Sequence, residues 1–215
     1  MTGEPPALVV ATPACGGLAH VDHVATLVGL ARAGVALAHV TASGERDEAR
    51  ARNAMLSAFH ARGGAAHLFF LDADVGMAAD DVLRLLGHGR DVVAAAVPLE
   101  TAPGGEPRFD VGRAVGEDGP LTLHEHAGVS ALLLSRRAVD ALVSDARAAG
   151  FAYASSTPLE GDPGAGIDYD VFRAGAVDGE YVTGAVRACA TLRRLGFAIH
   201  VDPAIVVRRH RIAVL

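Results

Sequence analysis

Up to residue 98 the sequence alternates short, continuous apolar runs with helical segments, and this pattern restricts the fold more than any other feature. Ala7–Ala11 (ALVVA), Val35–Val40, His67–Leu71 (HLFFL) and Asp91–Val97 (DVVAAAV) read as strands. His20–Ala33, Glu45–Arg62 and Ala79–Leu86 read as the helices between them, the first stopping at Gly34 and the second at Gly63-Gly64. A strand that alternates polar and apolar residues can leave one face in water; a strand apolar throughout must be covered on both faces. Covered strands separated by helices predict an α/β domain with a mostly parallel sheet.

Beyond Pro98 the pattern breaks. Residues 99–120 are rich in Gly, Pro and charge and read as a loop excursion, and residues 150–180 are again irregular. Ser130–Leu134 reads as a strand leading into a helix over Ser135–Ala148. A last helix is expected over Thr183–Leu195, followed by short strands at Ala198–Val201 and Ile205–Val207. No internal repeat is visible. The irregular stretches are short enough to be site-forming loops, so we expect one domain over 1–215: a ligand-binding half, 1–98, and a second half, 99–215.

Composition removes whole classes of function. All 19 basic residues are arginine, which excludes mechanisms built on a catalytic or phosphate-binding lysine, among them P-loop NTPases and Schiff-base enzymes. A formal net charge of −6 argues against nucleic acid or an anionic membrane as partner. The two cysteines, Cys15 and Cys189, are not in a paired spacing, no basic leader precedes the first apolar run, and no apolar stretch approaches the ~20 residues of a membrane span. A cytoplasmic protein is the expectation.

The sharpest candidate site is Asp72-Ala-Asp74, directly after the HLFFL strand. Ligands of parallel sheets bind where strands end, and a carboxylate pair there can hold a hard divalent cation that neutralises a diphosphate. The competing reading, a helix N-cap, suits Asp80 and Asp81 better because they lie nearer the next helix. Haloacid-dehalogenase-type phosphatases also place Asp-x-Asp after a strand, but near the N-terminus and with a later lysine. Arg52 shares a helix face with Met55, Leu56 and Phe59. A guanidinium on such a face needs an anion, with Asp72, Asp74 or a nucleotide as candidates, unless its head snorkels to the surface. His124-Glu125-His126 has the alternation that puts two histidines on one strand face, a second metal or acceptor site or, more commonly, a solvated edge.

Taken in order, Thr12-Pro13, Ala51-Arg52-Asn53, Phe70-Leu71-Asp72-Ala73-Asp74-Val75, Asp91-Val92-Val93, Ala96-Val97-Pro98, Ala127-Gly128, Arg136-Arg137, Phe172, Gly196-Phe197, Val201-Asp202-Pro203 and His210 resemble a group of small GT-A-fold glycosyltransferases. The resemblance spans most of the chain and implies that 1–98 is a nucleotide-binding half and 99–215 an acceptor-side half with a C-terminal strand that carries a metal ligand. It implies that Thr12 and Pro13 flank a nucleobase pocket and that Arg52 and Asn53 contact the nucleotide or brace the metal loop. It implies further that Asp74 ligates Mn²⁺ or Mg²⁺, with Asp72 on the ribose or the metal and His210 as third ligand. The nitrogen ligand would favour Mn²⁺. The implied activity is transfer of a sugar from a nucleotide donor, a UDP-sugar first, to a small-molecule or polymer acceptor.

Two departures stand out. Where the group carries a Ser-Glu-Asp-like segment at the start of the last long helix, this sequence reads Thr183-Gly184-Ala185, and its Pro-x-Lys is Pro98-Leu99-Glu100. The nearest acids to the missing segment are Asp178 and Glu180, the candidates for a general base, with Asp168 and Asp170 beyond them. The alternative is a catalytically silent GT-A-like domain that binds nucleotide or a protein. A nucleotidyltransferase on a related fold would load its first loop with a basic residue, and Thr12–Leu18 has none.

Overall fold

The structure, a computed structural model, describes residues 7–99 and 108–210. In chain order the elements are β1 (Leu8–Pro13), α1 (Val21–Arg32), β2 (Leu37–Ala42), α2 (Glu48–Arg62), β3 (His67–Leu71), β4 (Val75–Gly76), α3 (Ala79–Gly87), β5 (Val92–Ala95), β6 (Pro98–Leu99) and β7 (Arg108–Phe109). They continue with β8 (Ala114–Asp118), β9 (Leu121–His124), β10 (Ala131–Ser135), α4 (Arg136–Ala148), β11 (Ala152–Ala154), β12 (Ile167–Tyr169), β13 (Gly175–Val177), β14 (Glu180–Val182), α5 (Gly184–Arg194), β15 (Ile199–Asp202) and β16 (Arg208–Arg209).

Eight strands form one sheet in the order β2-β1-β3-β10-β5-β15-β9-β8. The pairs β1/β2, β1/β3 and β5/β15 are parallel. The pairs β3/β10, β10/β5, β15/β9 and β9/β8 are antiparallel. The α/β expectation therefore stands, while the mostly parallel sheet becomes a mixed one. The cause is β10, which returns between β3 and β5 running against both.

Each central strand feeds two cores, as its unbroken apolar sequence requires. Leu68, Phe70, Val92, Ala94, Leu132 and Leu134 pack with α2, α4 and α5 through Met55, Leu56, Val139, Leu142 and Leu192. Phe69, Leu71, Val93, Ala95, Ala131 and Leu133 pack on the other face with α1 and α3 through Leu30, Val82 and Leu85. The period-2 side-chain alternation assigns neighbours in each strand to opposite layers.

Helix starts follow local chemistry. The Asp47 carboxylate accepts from the Ala49 and Arg50 N–H groups at the start of α2, and Ser135 and Thr183 cap α4 and α5. At α3 the cap is Ala78, with no side-chain hydrogen bond. Asp80 and Asp81 lie in the first turn, where they complement the helix dipole instead of capping.

The two stretches read as irregular contain structure. Residues 114–124 form the β8–β9 hairpin that closes one sheet edge, and residues 152–182 hold the pairs β11/β12 and β13/β14. Part of the expected loop, residues 100–107, lies outside the described residues. The short strand expected at Ile205–Val207 falls instead at Arg208–Arg209, where β16 pairs with β4. Ile205 and Val207 are buried in the second core without strand pairing.

Candidate functional site

Strand β3 delivers Asp72 and Asp74 to one edge of the sheet, beside the end of β1 and the start of β10. The Asp72 N–H donates to the Ser130 carbonyl, and the Val75 N–H closes a turn on Asp72. Arg52, on α2, donates through Nη2 to both Asp72 oxygens at 2.9 and 3.0 Å and through Nη1 to Glu48 at 2.9 Å. Burial works against the charge on this guanidinium, and the two carboxylates outweigh it. Asp74 receives Arg209 Nε at 3.0 Å.

Two clefts meet here. One, of about 340 Å³, runs from Pro13, Cys15 and Leu18 past Glu45 and Glu48 to Asp72, Asp74 and Arg209. The other, of about 490 Å³, is bounded by Leu99, Arg108–Val111, His126, Gly128–Ser130 and the start of α5. Glu48, Arg52, Asp72 and Arg209 line both. The carboxylates along the two clefts are Glu45, Glu48, Asp72, Asp74 and Asp110, and the cations are Arg52, Arg108 and Arg209. Glu45 is further paired with Arg50 at 3.1 Å, so the described carboxylates exceed the cations by one.

His210 stands elsewhere than a ligand shared with Asp72 and Asp74 would. Its backbone N–H donates to the Asp74 carbonyl at 2.8 Å, while its ring Nε2 lies 2.9 Å from Asp22 Oδ2. Strand alternation is the reason. Arg209 turns toward Asp74, so Arg208 and His210, one residue to either side, turn the other way and both reach Asp22. The His210 ring stacks on His20 with centroids 3.6 Å apart. His20 is itself pinned by its N–H to the Ala73 carbonyl.

His20, Asp22 and His210 are the one group among the described residues whose donor atoms lie close enough together, within 4.8 Å, to hold a metal. As placed they form a latch. His20 Nδ1 accepts the Asp22 N–H, Arg208 already pairs with the carboxylate, and the two rings are within 10° of parallel. Gly76 makes the latch possible, since a β-carbon there would meet the Asp22 β-carbon at 2.5 Å.

Other sequence-derived site residues divide sharply. Pro13 lines the smaller cleft. Thr12 does not; it is buried, its hydroxyl between His23 Nε2 (3.3 Å) and His39 Nε2 (3.0 Å). Burial lowers the pKa of both histidines. Asn53 is buried too, donating to Asp170 and accepting the Phe172 N–H, so it staples the segment before β13 to α2 and lines neither cleft. One position along the helix from Arg52 is a turn of ~100°, which separates the two roles.

Asp178 and Glu180, the candidate bases, line neither cleft. They belong to the β13–β14 hairpin, exposed, with Asp178 (φ 50°) and Gly179 (φ 86°) forming its two-residue turn. Asp-Gly is what a turn with two positive φ angles selects, which explains Asp178 without catalysis. In the His-Glu-His triplet, His124 bonds the Gly112 carbonyl and Thr122, Glu125 pairs with Arg113, and His126 lines the larger cleft.

Sequence reasoning missed Asp110. Its carboxylate lies in the larger cleft against the Cα of Gly128, where a β-carbon would fall 1.6 Å from one carboxylate oxygen and 1.9 Å from the other. Burial pushes its pKa up to about 6, with Asp72 adding to the rise and Arg209 and Arg52 opposing it. Phe109-Asp110 sits in a stretch with no periodic pattern; the Gly128 that accommodates it was visible only as a residue of the resemblance.

No protein-family model matches the sequence, and no curated protein matches it significantly. Solved structures do. The chain is similar to the crystal structure of A197 from STIV, with a TM-score of 0.57 and 14% identity over 95% of this chain and 85% of that one. At that identity the likeness concerns the fold: a mixed α/β architecture shared over nearly the whole chain.

Proposed function

We propose that the Asp72–Asp74 edge binds a nucleotide sugar, a UDP-sugar first, together with a divalent cation, and that the sugar passes to a hydroxyl acceptor in the adjoining cleft. The observation that carries this reading is the meeting of two clefts at Arg52, Asp72 and Arg209. One cleft has the dimensions and the Pro13 border suited to a nucleotide, the other opens beside it for an acceptor. The sequence resemblance to GT-A-fold glycosyltransferases supports the same assignment.

The residues fit a hard cation. The excess of carboxylates would repel a diphosphate, and Asp72 and Asp74 supply the oxygen donors that Mg²⁺ or Mn²⁺ takes. Asp74 would hold the ion with Asp72 beside it; bound there, it would neutralise the charge that develops on the leaving diphosphate. Arg209, released from Asp74, could then meet a phosphate oxygen, while Arg52 keeps Asp72 oriented. His210 would join only by leaving Asp22, so this reading does not require it.

A second reading, a silent nucleotide-binding domain, is favoured by one observation: α5 begins at Thr183-Gly184-Ala185 without an acid. Binding comes first in either case. UDP should stabilise the protein in Mn²⁺ or Mg²⁺, by ~2.7 kcal/mol at about a hundred times its dissociation constant. Asp74→Asn should remove most of the metal dependence. Equal stabilisation in chelator would overturn the metal assignment, and no response to any nucleoside diphosphate would overturn the reading as a whole.

A further inference from the structure

Helix α5 presents Thr183, Ala185 and Val186 to the larger cleft. The place where the resembled transferases carry an acidic segment thus borders the acceptor cleft but offers no carboxylate. A different segment of the same lining supplies one. Asp110 is anchored by its own N–H to the Val97 carbonyl at 3.0 Å and by the Gly128 N–H to its carbonyl at 2.7 Å. Its carboxylate occupies space that exists only because residue 128 has no β-carbon. Among the described residues no ion pair takes up its carboxylate, whose hydrogen-bond donor is the Gly128 N–H, whereas Asp72 and Asp74 are both bound to arginine.

We propose that Asp110 is the general base of this site, receiving the proton of the acceptor hydroxyl; the inference rests on the sugar-transfer reading above. As the acceptor oxygen bonds to the anomeric carbon of the donor, its proton passes to an Asp110 oxygen. The bond from that carbon to the diphosphate oxygen breaks, and its electron pair leaves on the diphosphate. Direct displacement of this kind inverts the anomeric configuration. Burial, which lifts the Asp110 pKa to about 6, makes it a stronger base than an ordinary aspartate while leaving it ionised at neutral pH.

The test uses the full chain as wild type, Asp110→Asn and Asp110→Ala. Each is titrated with UDP and Mn²⁺, then assayed for consumption of UDP-glucose, UDP-galactose and UDP-N-acetylglucosamine with water, glycerol and methyl glycosides as acceptors. Both variants should bind UDP with Mn²⁺ as wild type does, while turnover falls ~10²–10⁴-fold. Added formate should restore part of the turnover of Asp110→Ala, which a purely structural role would not allow. Wild-type turnover in Asp110→Asn overturns the assignment. If wild type binds UDP but consumes no donor, Asp110 has no reaction to serve and the assignment falls while nucleotide binding stands. If no UDP binds, the sugar-transfer reading fails first and takes this inference with it.

Discussion

Asp110 holds a half-buried carboxylate at the cleft, and this has a thermodynamic signature separate from any catalysis. Its pKa rises from an ordinary 3.8 to about 6 in the folded chain, so the folded state binds the proton more tightly than the unfolded one. Stability at this residue is therefore fullest below the ordinary aspartate range and declines as pH climbs from about 4 to about 6. Asp110→Asn removes the charge and keeps the shape. The variant should be more stable than wild type near neutral pH, on the order of 1 kcal/mol after allowance for solvent, with the gap closing toward pH ~4. Urea midpoints at both pH values decide it; a variant no more stable at neutral pH would mean the carboxylate is well hydrated. A gain in stability paired with loss of turnover is the trade expected of a functional group kept in an unfavourable place.

At the scale of elements, the site depends on short segments clamped by ion pairs between distant parts of the chain. Asp202 is fully buried at the end of β15 and takes Arg84 Nε at 2.5 Å, His88 Nε2 at 2.7 Å and the Ala204 N–H at 2.9 Å. Burial alone would raise its pKa, yet the hydrogen bonds from Arg84 and His88 leave it below the usual value. It fixes the end of α3 to the sheet, so Val201-Asp202-Pro203 is structural in this protein. Asp202→Ala should cost about 1.5–3 kcal/mol, the range for hydrogen bonds to a charged group, read as a lower denaturation midpoint with UDP affinity preserved. An unchanged midpoint would show that α3 is held by its apolar face alone, through Val82 and Leu85. The lowered pKa predicts that this contribution is present above the ordinary aspartate range and is lost as pH falls through the folded value.

For the whole molecule, the cores on the two faces of β3, β10 and β5 imply an uneven distribution of stability. Amide hydrogen exchange should be slowest in those strands, whose residues are buried on both sides, and orders of magnitude faster in the β11–β12 and β13–β14 pairs, each a two-stranded sheet of its own. Equal protection in the hairpins would contradict this account of where the fold is held. The covered strands and their helices were legible in the sequence because burial on both faces writes an unbroken apolar run, as in His67–Leu71, which is β3 residue for residue. So was a carboxylate pair at a strand exit, since Asp72-Ala-Asp74 needs only its neighbours to be placed. Strand direction was not, because β10 carries the same apolar pattern whether it runs with β3 or against it. The β8–β9 and β13–β14 hairpins were hidden because exposed strands rich in Gly and charge lack the apolar period that marks a buried one. The partners of the site residues were hidden for a related reason. Asp22 meets His210 across 188 positions, and Asp110 meets Gly128 only through the folding of an aperiodic segment. The sequence by itself determined the layers, because burial is recorded residue by residue in local hydrophobicity. Tertiary structure alone decided which charge faces which and which acid reaches the cleft, because those depend on contacts between segments that no local pattern encodes.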